Sequence, residues 1–400
     1  MSARHSLKEY SLALVTAAAF LLLICFTWEA NQPSTPTVAV QYVNDQPPLE
    51  AYASLFPSHK SLLDLGRASF MINSAICKDA DQPVLLLYLV FSHPYHKELR
   101  DTHRKHTSQE LLKSLGSRRV FFLADGSQKS QENYPTVPMP VVFSENAQHR
   151  DLVVADFIDH YRNLTYKHAM ALSWAKQFCP QARYILKMDD DIMVDVWGVT
   201  NLLRSGLAAD NFGVIHSRAR EVVLNHKGSW AAGLQQRGLR PQRESGKWKV
   251  TTAEFPGTVY PNYLSGWAYI ITQPAASAIV AAAGNDTPFW IDDVYMTGIL
   301  AVKARVQHYS LNHHYTLTVS SVKCCLEGKD ALASASLPTR EAPLCNLLVA
   351  PSGKNVTLLA SWLIAARHCH RANRCPPRQQ PGACPPTRPY YGVGTVIPLS

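Results

Sequence analysis

Three consecutive aspartates stand in KMDDDIMVD, Lys187 to Asp195, between the apolar runs YIL and IMV. Carboxylates repel one another and are costly to bury unless paired or bound to a cation, so the cluster points to a metal or to chemistry. Side chains alternate along an extended backbone, so Asp189 and Asp191 are expected to share a face while Asp190 points elsewhere. Such a D-x-D pair of hard oxygen ligands suits Mg2+ or Mn2+, which bind one or two carboxylates and complete their shell with water and substrate phosphates. A second acidic pair, Asp292 and Asp293 in IDDVYMTGIL, follows the aromatic PFW at the start of what reads as an amphipathic helix. Helix capping accounts for Asp292 by itself, but a carboxylate near a bound diphosphate is also what an acceptor hydroxyl needs as general base.

The rivals can be read off the letters. A calcium loop starting at Asp189 needs Gly at Val194 and Glu at Thr200, and neither is present. An aspartyl-nucleophile phosphatase wants Thr or Val where Met193 stands, which leaves hydrolysis a weak runner-up. A turn of aspartates capping a helix is the plain alternative.

The elements that must hold these residues are legible as runs and periods. VLLLYLVFS (84–92) is a continuous apolar strand, KELRDTHRKHTSQELLKSLG a polar helical stretch and RVFFLAD a second strand, together a βαβ unit with a parallel sheet. Phe157, Tyr161, Leu164, His168, Leu172 and Ala175 recur at steps of three and four, which predicts one helix face with His168 as a packed core histidine rather than a ligand. YILKM then delivers the aspartates at the carboxyl end of a strand, where open α/β sheets bind ligands. WAYIIT predicts a further strand and TQPAASAIVAAAG a helix closed by Gly284.

A chain of 400 residues, 46% hydrophobic and 17% charged, has enough apolar matter for a sizeable core. Its net charge of +9 is spread without a basic run, which argues against nucleic acid and agrees with anionic substrates. Ser11 to Trp28 is an uncharged apolar run preceded by Arg4 and Lys8, so a single-pass type II anchor is expected, with residues 1–10 cytoplasmic and the rest lumenal. A cleaved signal peptide is the rival, but TWEANQP lacks a small-x-small cleavage site. Eight of the nine cysteines follow the anchor, which predicts disulfides of unspecified pairing, and Asn163, Asn285 and Asn355 head glycosylation sequons. A zinc site at His368, Cys369, His370 and Cys375 is the alternative, without a standard spacing.

ELRDTH, DLVVADFIDHYRNLTYKHAMALSWAKQFC, YILKMDDDIMV, YPNYLSGWAYIIT and IDDVYMTGIL follow in that order between about Val84 and His308. With them the sequence resembles the β-1,3-galactosyltransferase family, which also contains β-1,3-N-acetylglucosaminyltransferases and, more distantly, the fringe enzymes. The resemblance implies an α/β fold of GT-A type, a Rossmann-like mixed sheet flanked by helices. It also implies a UDP-sugar donor, Mn2+, and inverting transfer to the 3-hydroxyl of a glycan acceptor on protein or lipid. On this chain it assigns Asp189, Asp190 and Asp191 to the metal and donor, Asp191 as direct metal ligand, and Asp293 as base with Asp292 the close alternative. Arg100 would contact the pyrophosphate or uridine, and Tyr263, Ser265, Gly266 and Trp267 would line the donor–acceptor junction. Gly266 would permit close backbone approach, whereas Tyr263 and Trp267 equally suit core packing. A late histidine, His308, His313 or His314, is a further metal-ligand candidate. Lys97, Leu99 and His103 replace the Arg, Ile and Trp usual in the family, so the donor stays open between galactose, which is favoured, and N-acetylglucosamine. The expected organisation is a stem over 29–82, a Golgi-lumenal catalytic domain over 83–345 and a Pro/Cys-rich tail over 346–400. A non-catalytic lumenal glycan-binding protein of the same fold is the alternative, and the intact acidic pair opposes it.

Overall fold

The computed structural model describes residues 69–78, 83–127, 134–205, 227–284, 288–327 and 347–371. All of them fall in the unit Gln46–Ser400. The apolar run 11–28 lies outside these residues, and among the described residues no helix is long and apolar enough to cross a membrane.

The centre is a mixed eight-stranded sheet in the order β1-β4-β3-β2-β5-β8-β7-β9. Strand β2 (Val84–Phe91) is flanked in parallel by β3 (Ser117–Asp125) and β5 (Ala182–Asp189), and β4 (Leu152–Ile158) continues in parallel beyond β3. The middle of each strand is buried and mostly apolar, and β2 is an unbroken apolar run, because a parallel sheet is covered on both faces. Beyond β5 the direction reverses, since β8 (Tyr263–Thr272) is antiparallel to both β5 and β7 (Trp230–Gln236), and β9 (Gln307–Ser310) closes that edge in parallel with β7. Successive strands run one way from β2 to β4, whereas β5 lies on the other flank of β2. The switch point is therefore between β2 and β5, and the carboxyl ends meeting there are Phe91 and Asp189, which pair in register.

Several expected boundaries are corrected. The polar stretch after β2 forms two helices, α1 (Lys97–His106) and α2 (Gln109–Ser114), because the Ser108 side chain accepts from Leu111 N–H and starts a new one. The helix expected to include Phe157 begins later: 152–158 is β4, Tyr161–Asn163 is a 3-10 turn, and α4 runs over Leu164–Phe178, after α3 (Met139–His149). The Val-rich LVVADFI satisfies its backbone in the sheet, where burial of its first four residues in succession outweighs the three–four spacing.

The stem does not extend to residue 82, since Phe70–Ile72 forms β1 against β4 and Cys77 is disulfide-bonded to Cys179 at the end of α4. Nor does the domain stop at 345. Residues 349–351 form β10, paired antiparallel with β6 (Ile192–Val194), and Val356–Arg371 is a 16-residue helix. That helix buries Leu359, Trp362 and Leu363 in a cluster with Leu99 of α1 and Met193 of β6, which explains why it is ordered despite the composition beyond it. Cys369 in this helix is disulfide-bonded, as are Cys324 and Cys325, which removes Cys369 from the zinc alternative, and Cys375 lies outside the described residues. The sequon asparagines Asn163 and Asn355 are both engaged, by a bond to Ile158 O and by capping Leu358 N–H; Asn285 lies outside the described residues.

Candidate active site

Two acidic elements converge at the carboxyl edge of β5. Strand β5 ends at Asp189, and Asp190–Asp191 turn the chain into β6, so the alternation expected of a continuous strand ends one residue into the cluster. The three carboxylates have three different environments. Asp189 is two-fifths exposed and accepts from Lys187 Nζ at 2.7 Å. Asp190 is drawn inward: Ser92 Oγ and His96 Nδ1 donate to its Oδ2 at 2.6 and 3.0 Å, and its N–H donates to Phe91 O. Burial alone would raise its carboxyl, but His96, Ser92 and the nearby Arg100 charge hold it below the usual range.

Asp191 has no hydrogen bond or ion pair to its carboxylate among the described residues. Burial, together with the neighbouring Asp190 and Asp189, pushes it up to about 7. A carboxylate crowded by like charge and lacking a protein partner is a fit for a cation. Among the described residues no three His, Cys, Asp or Glu side chains gather into a group able to hold a metal alone. A hard divalent ion that takes one or two carboxylates and completes its shell with water and phosphate oxygens is compatible with that set. The late-histidine expectation receives no such cluster: His308 is on edge strand β9, where burial and Arg237 lower it to about 4.

The second element is carried by β8 and the helix that follows Asp293. Pairing of β7 with β8 sets Gly233 opposite Tyr269 but Gln235 opposite Leu264, so β8 bulges across Ser265–Ala268. Bulges re-aim side chains beside active sites, and this one brings the Gly266 backbone against Asp293. A Cβ on Gly266 would meet Asp293 Cβ at 2.9 Å, so the close approach inferred from sequence is to the proposed base itself. Gly266 N–H donates to Asp293 Oδ2 at 3.2 Å, and Val294 N–H to Oδ1 at 2.8 Å. The helix Asp293 caps is a π-helix, Val294–Leu300, buried at every position rather than amphipathic.

Lys187 links the two elements, because its Nζ donates both to Asp189 and to Gly266 O. Asp292 accepts from His168 Nδ1 at 3.0 Å, and His168 Nε2 lies 2.5 Å from the Tyr269 hydroxyl. Burial lowers His168 and raises Tyr269, which makes the consistent arrangement a neutral imidazole accepting from Tyr269 and donating to Asp292. For Asp292, burial is outweighed by the His168 hydrogen bond and the Lys187 charge, and its carboxyl is lowered; for Asp293, burial and the Asp292 charge prevail and push it up to about 7. Two adjacent carboxyls are thus split, one kept ionised and one poised near neutrality.

Arg100 is a correction. It is fully buried and spends all five guanidinium donors inside the protein: a two-pronged pair with Glu145, and bonds to Ser92 Oγ, His93 O and Pro94 O. No donor remains for a pyrophosphate or uridine, so its role is to shape the 92–94 loop that in turn fixes Asp190. Ser265 accepts from Gln236, and Trp267 packs edge-on to Tyr315 at 5.3 Å beside the core. Tyr263 packs edge-on to Tyr260 at 6.4 Å.

Sequence reasoning missed Lys187, His96 and Ser92, and placed His168 in the core without its partner. A lysine two residues before the triplet, in an otherwise apolar strand, was the available signal. An aromatic wall flanks the second pair: Tyr161 and Trp290 lie 6.1 Å apart, with Arg162 over Trp290 and Lys247 over Tyr161.

An open α/β sheet with two acidic elements meeting near its switch point places a candidate ligand site there. The chain belongs to the galactosyltransferase family, whose profile matches residues 98–312. It is 29% identical to β-1,3-galactosyltransferase 4 of Mus musculus over 73% of this chain and 80% of that one. It is 32% identical to the acetylgalactosaminyl-O-glycosyl-glycoprotein β-1,3-N-acetylglucosaminyltransferase of Homo sapiens, over 53% of this chain and about half (51%) of the relative. Among solved structures, a galactosyltransferase in complex with donor and acceptor sugar analogs covers 71% of this chain and 96% of its own at 9% identity and a TM-score of 0.30, too low to bear on fold or function.

Proposed function

We propose that this protein is an inverting β-1,3-hexosyltransferase of GT-A type that moves a sugar, galactose in the first instance, from a UDP-sugar to the 3-hydroxyl of a glycan acceptor. The observation that carries the reading is Asp293: a carboxyl pushed up to about 7, fixed by two backbone N–H groups and joined through Gly266 and Lys187 to the D-x-D turn. A base of that strength takes a hydroxyl proton near neutral pH.

In the reaction the acceptor 3-oxygen forms a bond to the anomeric carbon on the face opposite the leaving group. The bond from that carbon to the β-phosphate oxygen breaks, the electron pair leaves on UDP, and the acceptor proton passes to Asp293. Asp292, held ionised by His168, keeps the affinity of Asp293 for that proton high, and the Gly266 and Val294 N–H groups fix the carboxylate. Tyr161 and Trp290 offer flat apolar faces of the kind that hold sugar rings. Mn2+ held by Asp191 with Asp189 would neutralise the diphosphate charge as it develops.

N-acetylglucosamine as donor is the second reading, favoured by the 32% identity to an N-acetylglucosaminyltransferase. A type II Golgi membrane location is supported by the apolar run 11–28 with Arg4 and Lys8 before it, and by a disulfide of the kind that persists in oxidising compartments. The test is UDP release by the purified full-length chain in detergent with UDP-galactose and UDP-N-acetylglucosamine, acceptors bearing a free 3-hydroxyl, and Mn2+ or chelator. Metal-dependent release with one donor is expected; absence of release with every pair would favour the non-catalytic binding protein.

A further inference from the structure

The cations at this end of the sheet are mostly committed. Arg100 uses every donor on Glu145 and the 92–94 loop, Lys187 is held by Asp189 and Gly266 O, and Lys167 is buried on Ser92 O and Asp159. Lys354 differs. It is exposed, and its one hydrogen bond among the described residues goes to the Tyr134 hydroxyl rather than to a carboxylate, with Nζ 4.9 Å from that ring's centroid. The carboxylates whose charge it feels are Asp191 and Asp190.

The backbone around it is built to hold that position. Ser352 N–H donates to Asp191 O at 2.8 Å, directly after the β6–β10 pairing, and Asn355 Oδ1 caps the following helix through Leu358 N–H at 2.9 Å. Between these two anchors Gly353 and Lys354 both take positive φ, 61° and 63°. For a lysine that is a sparsely populated conformation, kept where surrounding structure overdetermines it and concentrated at ligand-handling sites. Tyr134, in turn, belongs to a ring cluster with His93 at 4.8 Å and His96 at 5.0 Å, on the loop whose Ser92 and His96 bind Asp190.

We infer that Lys354 is a diphosphate-binding residue: its ammonium leaves the Tyr134 hydroxyl to pair with the phosphate oxygens of a nucleoside diphosphate seated over Asp189–Asp191. This rests on the UDP-sugar reading above and extends it to a segment outside the matched residues 98–312. An ammonium there adds charge-assisted bonds to the departing diphosphate that a neutral side chain cannot make.

The experiment compares UDP and uridine binding to the full-length chain with Mn2+, for wild type, Lys354→Ala and Lys354→Arg, by titration calorimetry, with thermal midpoints as a check on folding. Lys354→Ala is expected to weaken UDP about tenfold or more while leaving uridine unchanged, and Lys354→Arg to restore most of the loss. Equal UDP binding by wild type and Lys354→Ala would overturn the inference, as would a parallel loss of uridine, which would make Lys354 a prop for the Tyr134 wall. A wild-type chain that binds no UDP would instead overturn the nucleotide-sugar reading itself.

Discussion

Asp293 and Asp191 are both pushed up to about 7, for different reasons and with different consequences. Asp293 is raised by burial and by an ionised neighbour, and it acts only when deprotonated. Turnover is therefore expected to fall about tenfold per pH unit below about 7 and to level above it. Asp293→Asn should cost roughly 10^2- to 10^4-fold in kcat with UDP affinity kept, and near-normal turnover in that variant would remove Asp293 from the base role. Asp191 is raised by burial and two flanking aspartates without a protein partner, a penalty a cation relieves. Asp191→Asn should lose the Mn2+ dependence of UDP binding, and an unchanged metal dependence in calorimetry would move the ligand elsewhere. Of these assignments, the carboxylates were legible because three in a row between apolar runs have no cheap alternative. Their division of labour was not, since it depends on Ser92, His96 and Lys187 reaching them from other positions.

At the scale of elements, strand β8 and the π-helix work as one part. The bulge across Ser265–Ala268 is where β8 leaves regular pairing, and Gly266 is the point at which a side chain would strike Asp293. Gly266→Ala should cost about 1–3 kcal/mol by overpacking and displace the base, with kcat falling more than UDP affinity. A variant with unaltered kcat would show that the Asp293 geometry tolerates the shift. Strands β2, β3 and β5 were readable as apolar runs, and the helix after Thr272 by its closing Gly284; its Thr272 cap is seen in the structure. The start of α4 was not, because a three–four spacing through 157–161 coexists with a strand that gains its hydrogen bonds from β3 on one side and β1 on the other. Likewise Val356–Arg371 carries helix-forming residues next to a Pro/Cys-rich run, and only its packing on α1 and β6 explains where the fold ends.

For the molecule as a whole, the Cys77–Cys179 bridge ties the segment before β2 to the end of α4 across 102 positions. Closing a loop of that length in the unfolded chain is worth several kcal/mol, so Cys77→Ser should lower stability by roughly 2–5 kcal/mol. Denaturant midpoints with and without reductant check this: reductant should shift the wild type toward the variant, and coincident midpoints in all conditions would deny the bridge a stabilising part.

The sequence by itself determined the parallel core, the two acidic sites and the family motifs, because each is written in local periods or in residues too costly to place idly. Tertiary structure decided which carboxylate turns inward, that Arg100 is a scaffold, and that His168 reaches Asp292 across 124 positions. These outcomes depend on which donors saturate one another in space, and a hydrogen bond between distant strands leaves no periodic trace in either.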